Sequence, residues 1–367
     1  MQPLNGSRPL YIKVTCVLLS LIAIGFLAIL GKEILSPLLF ASLIAILLLP
    51  VAGFLERKCR LPRGVAAIIA VLLFLLCLVI LFYILGGQGS VLVDEWPQFK
   101  LQLDASVKQL QHWVSATAHI TKREQLAYFN NATSRLMESG TEMLGSTLLS
   151  LSSMIVFLLF TIIYTIFFLQ YRSLIMKFFI TLFSEEKMAM VHEIAEEIQM
   201  IIRQYIIGLM IEMAAVSTTL CIAFAVLGVP YAILLGLLGG LLNLIPYIGI
   251  FITLIISTLI TLASAAGAAK VVIVVIILVG THLVDANVLF PLIVGSKVRI
   301  NPMAMIAGVV VGGLIWSVAG MFLSIPVMAV LKIIFDKVDS LQPWGVLLGH
   351  SDKPKPVSIP KKKKNLP

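Results

Sequence analysis

The sequence has few charged residues for its length. Only 12% of its 367 residues are charged, whereas 60% are hydrophobic. Soluble domains carry about 25% charged residues, so this balance excludes an ordinary soluble globular protein. It predicts an integral membrane protein whose first partner is the lipid bilayer.

The sequence also lacks the motifs of the common enzyme classes. It has no Walker loop for ATP, no nucleophile elbow, and no His and carboxylate cluster with metal-ligand spacing. Its four cysteines stand singly, and no pair has a redox or zinc spacing. We therefore predict that the chain is not an enzyme and has no catalytic residue, cofactor or metal site. A primary pump is also excluded unless a separate subunit supplies the energy.

The net charge of +9 does not require a nucleic-acid partner. The basic residues stand beside the ends of apolar runs: before the first run, in the loop at 57–63, and in the tail at 353–364. Lys and Arg concentrate on the cytoplasmic side of membrane proteins. These three regions, and with them both termini, should therefore be cytoplasmic.

About eight apolar segments divide the chain into four parts. Residues 1–86 hold three spans, and residues 87–146 form an external loop with apolar residues at the three- and four-residue steps of amphipathic helices. Residues 147–335 form a transmembrane core that includes a cytoplasmic amphipathic helix at 184–203. A Lys-rich tail at 336–367 should be disordered. The predicted fold is an all-α, polytopic membrane helical bundle with an external helical loop region.

Two stretches within the core, residues 230–260 and 302–333, share Pro, Ala and Gly at matching positions and indicate an internal repeat. Roughly thirty helical residues extend about 45 Å, whereas the hydrocarbon core is about 30 Å thick. Each stretch must therefore tilt strongly or break and turn back. Two single spans would give eight crossings, and two re-entrant hairpins would give six.

Broken helices in a repeated unit point to a transport site, although Gly and Pro also serve as packing devices in membrane helices. Pro removes a helical hydrogen bond and Gly permits unusual backbone angles. The candidate hinge residues are Pro246, Gly249, Pro291 and Gly295.

A few polar side chains lie within the apolar runs, where an ionisable group is costly unless it is paired or faces water. Asp285 is the strongest candidate for a proton or cation site, and His282 lies three residues earlier on the same helical face. The alternative is a structural pair that locks helix packing. The other candidates for substrate or ion binding are Glu212, Asn243, Tyr247 and Asn287.

Several blocks of the sequence resemble the autoinducer-2 exporter family of bacterial membrane proteins. They are LPRG at 61–64, GGLLNLIPYIG at 239–249, DANVLFPLIVGSKVRINP at 285–302, and the closing GVVVGG and LSIPVMAVLK. The resemblance covers nearly the whole chain. It departs at Ile250, where the family pattern PYIGP often has a second proline. The resemblance implies a multispanning, homo-oligomeric transporter of the bacterial inner membrane.

Three functions are compatible with these features. The leading one is a secondary transporter, or permease, that exports a small polar molecule such as a signalling metabolite or exchanges a monovalent cation for protons. The alternatives are a non-transporting membrane scaffold or assembly protein, and a passive channel through an oligomer. The sequence does not name the solute or the number of subunits.

Overall fold

The computed structural model describes residues 10–94, 101, 152–183, 185–245, 248–263, 268–295 and 300–349. In these ranges the regular secondary structure is helical, apart from one isolated β-bridge. Six of the helices are long and apolar enough to cross a membrane, and shorter apolar helices accompany them. The predicted all-α, polytopic helical bundle is therefore confirmed.

The N-terminal helices follow the first apolar runs. They are α1 (Leu10–Leu30), α2 (Lys32–Lys58), α3 (Arg63–Asp94) and α4 (Ser152–Gln170). The apolar run predicts an end of the third span at residue 86, but α3 continues for about two more turns into the external loop. The rest of that loop, with its predicted amphipathic helices, lies outside the described residues except for residue 101.

A long helix follows a short one in the middle of the chain. The short helix α5 is Arg172–Thr181, and α6 is Met188–Val226, a single helix of 39 residues. The sequence predicts a separate amphipathic helix at 184–203 before a span, but the two are continuous. No Gly or Pro occurs between residues 188 and 207, so nothing interrupts the hydrogen-bond ladder there.

The first repeated stretch is a helical hairpin, here named hairpin 1. Its arms are α7 (Ala232–Leu242) and α8 (Ile248–Ala263). The side chain of Thr253 lies beside Gly239, and the backbone of Gly249 lies against the carbonyl oxygen of Leu242. These contacts between the two arms show that the chain reverses direction between them. The predicted break in this stretch is confirmed.

Two glycines hold hairpin 1 against α6. A Cβ atom on Gly236 would collide with Cys221, and one on Gly240 would collide with Ser217. Small residues at a helix interface let two backbones approach closely, which is a main source of helix association in membranes. The second half of α7 is therefore fixed against the C-terminal third of α6.

The second repeated stretch is also a hairpin, named hairpin 2. It lies within α10 (Pro302–Lys337), whose backbone leaves helical geometry at Trp316 and at Ser317, where φ is 54°. The two arms run side by side, because the carbonyl oxygen of Gly312 occupies the space that a Cβ atom on Gly320 would need. The predicted break in this stretch is confirmed as well.

Between the hairpins lies α9 (Ala268–Val284), which continues into two π-helical segments, Asp285–Leu289 and Pro291–Gly295. The two hairpins approach α6 from opposite ends. Hairpin 1 follows the C-terminal end of α6 directly, whereas Lys337 at the base of hairpin 2 forms an ion pair with Glu193, near the N-terminal end of α6.

The chain stays helical beyond residue 336, where the sequence predicts the start of a disordered tail. A short helix, α11 (Gln342–Leu348), folds back over the base of hairpin 2. The carbonyl oxygen of Leu348 accepts a hydrogen bond of 2.8 Å from the amide of Asn301, and Ile300 bridges to Gly349. Order therefore extends past the predicted boundary at residue 336. These backbone contacts and the close approach of Gly345 to Asp336 hold this part of the tail, although Trp344 and Val346 are exposed.

Candidate functional site

Three separate elements meet at the break of hairpin 1. Glu212 comes from α6, Asn243 from the end of α7, and Asp285 from the first π-helical segment. The amide nitrogen Nδ2 of Asn243 donates to Oε1 of Glu212 at 3.2 Å and to Oδ2 of Asp285 at 3.1 Å. One amide group therefore bridges two carboxyl groups that are far apart in the chain.

Local structure explains how each side chain reaches this point. Asn243 is the C-cap residue of α7, so its position is set by the close contact of Gly240 with α6. Asp285 is the first residue of a π-helical segment. Such segments insert an extra residue per turn and occur frequently at functional sites.

Both carboxyl groups are buried. Glu212 is 3% exposed and Asp285 is 6% exposed. Their second oxygens, Oε2 of Glu212 and Oδ1 of Asp285, are also buried and have no hydrogen-bond partner in the described part of the chain. One oxygen of each carboxyl group lies within 3.2 Å of the same nitrogen atom of Asn243, and two buried negative charges this close to each other repel strongly. A shared proton or a bound monovalent cation would relieve that repulsion.

Further polar groups near this site were not among the predicted site residues. Tyr205 is 1% exposed, its hydroxyl has no partner in the described residues, and it lies two turns before Glu212 on the same face of α6. Farther along α8, away from the turn of hairpin 1, the hydroxyl groups of Ser257 and Thr258 are also buried without a partner in the described residues. The seven-residue spacing of Tyr205 and Glu212 indicates that both side chains lie on one face of a helix. Tyr205 follows a series of apolar residues at helical spacing, however, so the sequence pattern assigns it to an apolar stripe.

The structure does not pair His282 with Asp285 in the way that their spacing suggested. The hydrogen bond described for Asp285 goes to Asn243, and Nδ1 of His282 is buried without a partner in the described residues. Asn287 is exposed and donates to the carbonyl oxygen of Leu283 at 2.8 Å, so it lies outside the site.

The remaining candidates fall in three places. Tyr247 and Pro246 lie outside the described residues. Gly249 lies at the turn of hairpin 1, where it is in close contact with the opposite arm. Pro291 and Gly295 bound the second π-helical segment. Their function as hinges stays a prediction.

The site has the composition of a proton or cation site rather than of a metal centre. Across the described ranges, no group of three or more His, Cys, Asp or Glu residues is arranged to hold a metal ion. Two carboxylates and one amide can bind a proton, a monovalent cation or a polar group of a solute.

The sequence profile described as AI-2E family transporter matches residues 18–340 of the chain. The chain belongs to the AI-2E transporter family. The part that matches the AI-2E profile contains both hairpins and the Glu212, Asn243 and Asp285 site. Membership, together with the apolar helices, makes this a multi-pass membrane protein with a role in membrane transport.

Two relatives of this AI-2E family member illustrate the range of similarity. The AI-2 transport protein TqsA of Escherichia coli strain K12 is 26% identical over 358 residues, which cover 95% of this chain and 98% of TqsA. Putative transport protein YueF of Bacillus subtilis strain 168 is 23% identical over 317 residues, which cover 82% of each chain.

Proposed function

We propose that this AI-2E family member is a secondary transporter of the bacterial inner membrane, and that it exports a small polar molecule or exchanges a monovalent cation for protons. The observation that carries the proposal is the bridge from Asn243 to Glu212 and Asp285. The bridge joins a broken helix and two ionisable groups at one buried point.

The chemistry of this site supports coupling to a proton or cation. With both carboxyl groups charged, the site holds two buried negative charges and one neutral amide, which is unfavourable. With one proton or one monovalent cation bound, the unpartnered oxygens Oε2 of Glu212 and Oδ1 of Asp285 gain a ligand. Binding of a proton or a monovalent cation would therefore change how strongly the two carboxyl groups hold Asn243 at the break of hairpin 1. We propose that this change couples the proton or cation to movement of the solute.

The arrangement of charge supports a topology with both termini in the cytoplasm. If α1, α2, α3, α4, α6 and α9 cross the membrane and both hairpins are re-entrant, there are six crossings. The basic loop at 57–63 and the base of hairpin 2 then lie on the cytoplasmic side, as the distribution of Lys and Arg favours. We further propose that the transporter acts as a homo-oligomer, without enzymatic activity.

The name of TqsA specifies AI-2, so a small polar signalling molecule is the first solute to test in this chain. The test is flux into sealed vesicles that contain the purified protein, with and without an imposed pH gradient. AI-2, Na⁺ and K⁺ would be followed separately. We expect flux of one of these species to be tied to proton movement in the opposite direction.

The same experiment distinguishes the alternatives. A scaffold or assembly protein would move no solute under any gradient. A passive channel would dissipate the solute gradient at a rate that does not depend on the pH gradient. Either result would contradict the proposed exchange.

A further inference from the structure

A second feature of the structure lies away from the carboxylate pair. A cavity of about 520 Å³ lies between α2, α5, the N-terminal half of α6 and the end of α10. This volume is in the range of known ligand pockets, about 300–1,000 Å³. The lining side chains are apolar with three exceptions, Ser42, Gln199 and Arg172.

The apolar wall limits what can occupy this cavity. A buried water molecule needs two to four polar partners, and dry apolar cavities bind apolar molecules instead. The wall is formed by such side chains as Ile46, Phe179, Met190 and Ile334. In a protein that lies in a bilayer, the apolar molecule present at highest concentration is the acyl chain of a lipid.

One of the residues that line the cavity carries a positive charge. Arg172 lines the cavity and forms an ion pair with Glu56. At the next residue, the hydroxyl of Ser173 accepts a hydrogen bond of 3.2 Å from Nη1 of Arg63, which is itself exposed. The two guanidinium groups are therefore tied to consecutive residues of α5, and together with Glu56 they carry a net charge of +1 and N–H donors beyond those used in these two contacts.

Arg is the residue best suited to bind a phosphate group, because its planar N–H donors match two phosphate oxygens at once. A basic group directly beside an apolar cavity has the two-part chemistry that an amphiphile with an anionic head requires. A free phosphate ion would use the arginines and leave the cavity unused.

We propose that this cavity binds one anionic phospholipid of the bilayer, with an acyl chain in the cavity and its phosphate on Arg63 and Arg172. The lipid would fill the space between α6 and the base of hairpin 2. This inference does not depend on the proposed transport function, because the site is separate from Glu212, Asn243 and Asp285.

The test uses the purified full-length protein in mixed micelles with phosphatidylglycerol or phosphatidylcholine, and native mass spectrometry to count bound lipids. We expect one saturable phosphatidylglycerol molecule per chain and weaker retention of phosphatidylcholine. Ala195→Phe adds a ring at a residue that lines the cavity, and this variant should lose the bound lipid. Arg63→Gln keeps the cavity and should weaken phosphatidylglycerol binding about tenfold, the effect of one charge-assisted hydrogen bond.

Two matched controls lie on α6. Ala225→Phe adds the same ring at an exposed position, and Arg203→Gln removes the same charge at an exposed position. Both controls should retain phosphatidylglycerol as the unaltered protein does. Equal retention by Ala195→Phe and Ala225→Phe would overturn the proposal. So would binding of inorganic phosphate that depends on Arg63 in a protein that retains no phosphatidylglycerol, because the site would then serve a free ion.

Discussion

The bridging amide of Asn243 gives the sharpest prediction about stability. Asn243→Leu keeps a side chain of similar size but removes both hydrogen bonds to the buried carboxyl groups. A hydrogen bond to a charged group contributes about 1.5–3 kcal/mol, and a buried acceptor that loses its partner costs about 1–3 kcal/mol. We therefore expect Asn243→Leu, which removes the donor from two buried carboxyl groups, to lower the free energy of unfolding by about 3–5 kcal/mol at neutral pH.

The matched control is Asn287→Leu. Asn287 is exposed and bonds only to a carbonyl oxygen of its own helix among the described contacts, so its loss should change the free energy of unfolding by less than about 1 kcal/mol. Denaturant unfolding of both purified variants in the same detergent measures the difference. The measurement is made at neutral and at acidic pH.

The pH dependence provides a second readout. Protonated carboxyl groups do not carry the buried charge that Asn243 stabilises, so the cost of Asn243→Leu should decrease when the pH is lowered until the pair is neutral. If Asn243→Leu lowers the free energy of unfolding no more than Asn287→Leu does, or by the same amount at both pH values, the reasoning that Asn243 stabilises buried negative charge is refuted.

Three further predictions concern the hairpins. Gly249→Ala places a Cβ atom against the carbonyl oxygen of Leu242 and should lower the free energy of unfolding by about 1–3 kcal/mol. The control Gly53→Ala, in open space within α2, should raise the free energy of unfolding by about 0.5–1 kcal/mol. Equal effects of the two substitutions would contradict the close contact at Gly249. Trp316→Phe removes an indole hydrogen bond of 2.8 Å to the carbonyl oxygen of Ala28 in α1, so thermal unfolding should show a free energy of unfolding that is lower by about 1 kcal/mol. An unchanged free energy of unfolding would mean that this hydrogen bond does not stabilise the fold. In a protein without its native cysteines, Met303→Cys at the exposed start of hairpin 2 should react with a membrane-impermeant thiol reagent from the cytoplasmic face. Eight single spans would place this residue outside, so labelling from outside in intact cells would reject the double-hairpin topology.

The positions of the breaks could be predicted from the sequence because they depend on local chemistry. Gly and Pro weaken a helix wherever they stand, and both long stretches are too long for a single upright crossing. The continuity of α6 could not be predicted in the same way. Its N-terminal half is amphipathic and its C-terminal half is apolar, and that change in composition resembles a boundary although the backbone has none.

The site could be predicted only in part. Asp285, Glu212 and Asn243 are each recognisable, because each is a polar residue in an apolar run. Their meeting was not predictable, since it depends on how closely Gly236 and Gly240 let α7 pack on α6. The predicted partner of Asp285 is its neighbour in sequence, His282, because spacing within one helix cannot show that Asn243 of another helix lies beside Asp285.

Gly249 shows why helix propensity alone misjudges the turn of hairpin 1. By helix propensity alone, Gly249→Ala would be stabilising by about 1 kcal/mol. The close contact of Gly249 with Leu242 reverses that expectation. Glycine at this position allows the backbones of α7 and α8 to contact each other. Helix propensity describes one helix at a time and does not include such a contact.

The most direct test of the central proposal is proton movement coupled to solute or cation flux in sealed proteoliposomes. The unaltered protein is compared with Asp285→Asn, which removes a buried charge at the bridge, and with Asn287→Ala, an exposed residue of the same π-helical segment. We expect the unaltered protein and Asn287→Ala to show flux that depends on the pH gradient, and Asp285→Asn to insert normally but lose that dependence. Flux by Asp285→Asn with the same pH dependence as the unaltered protein would contradict the proposal that the bridged carboxyl groups couple transport to protons.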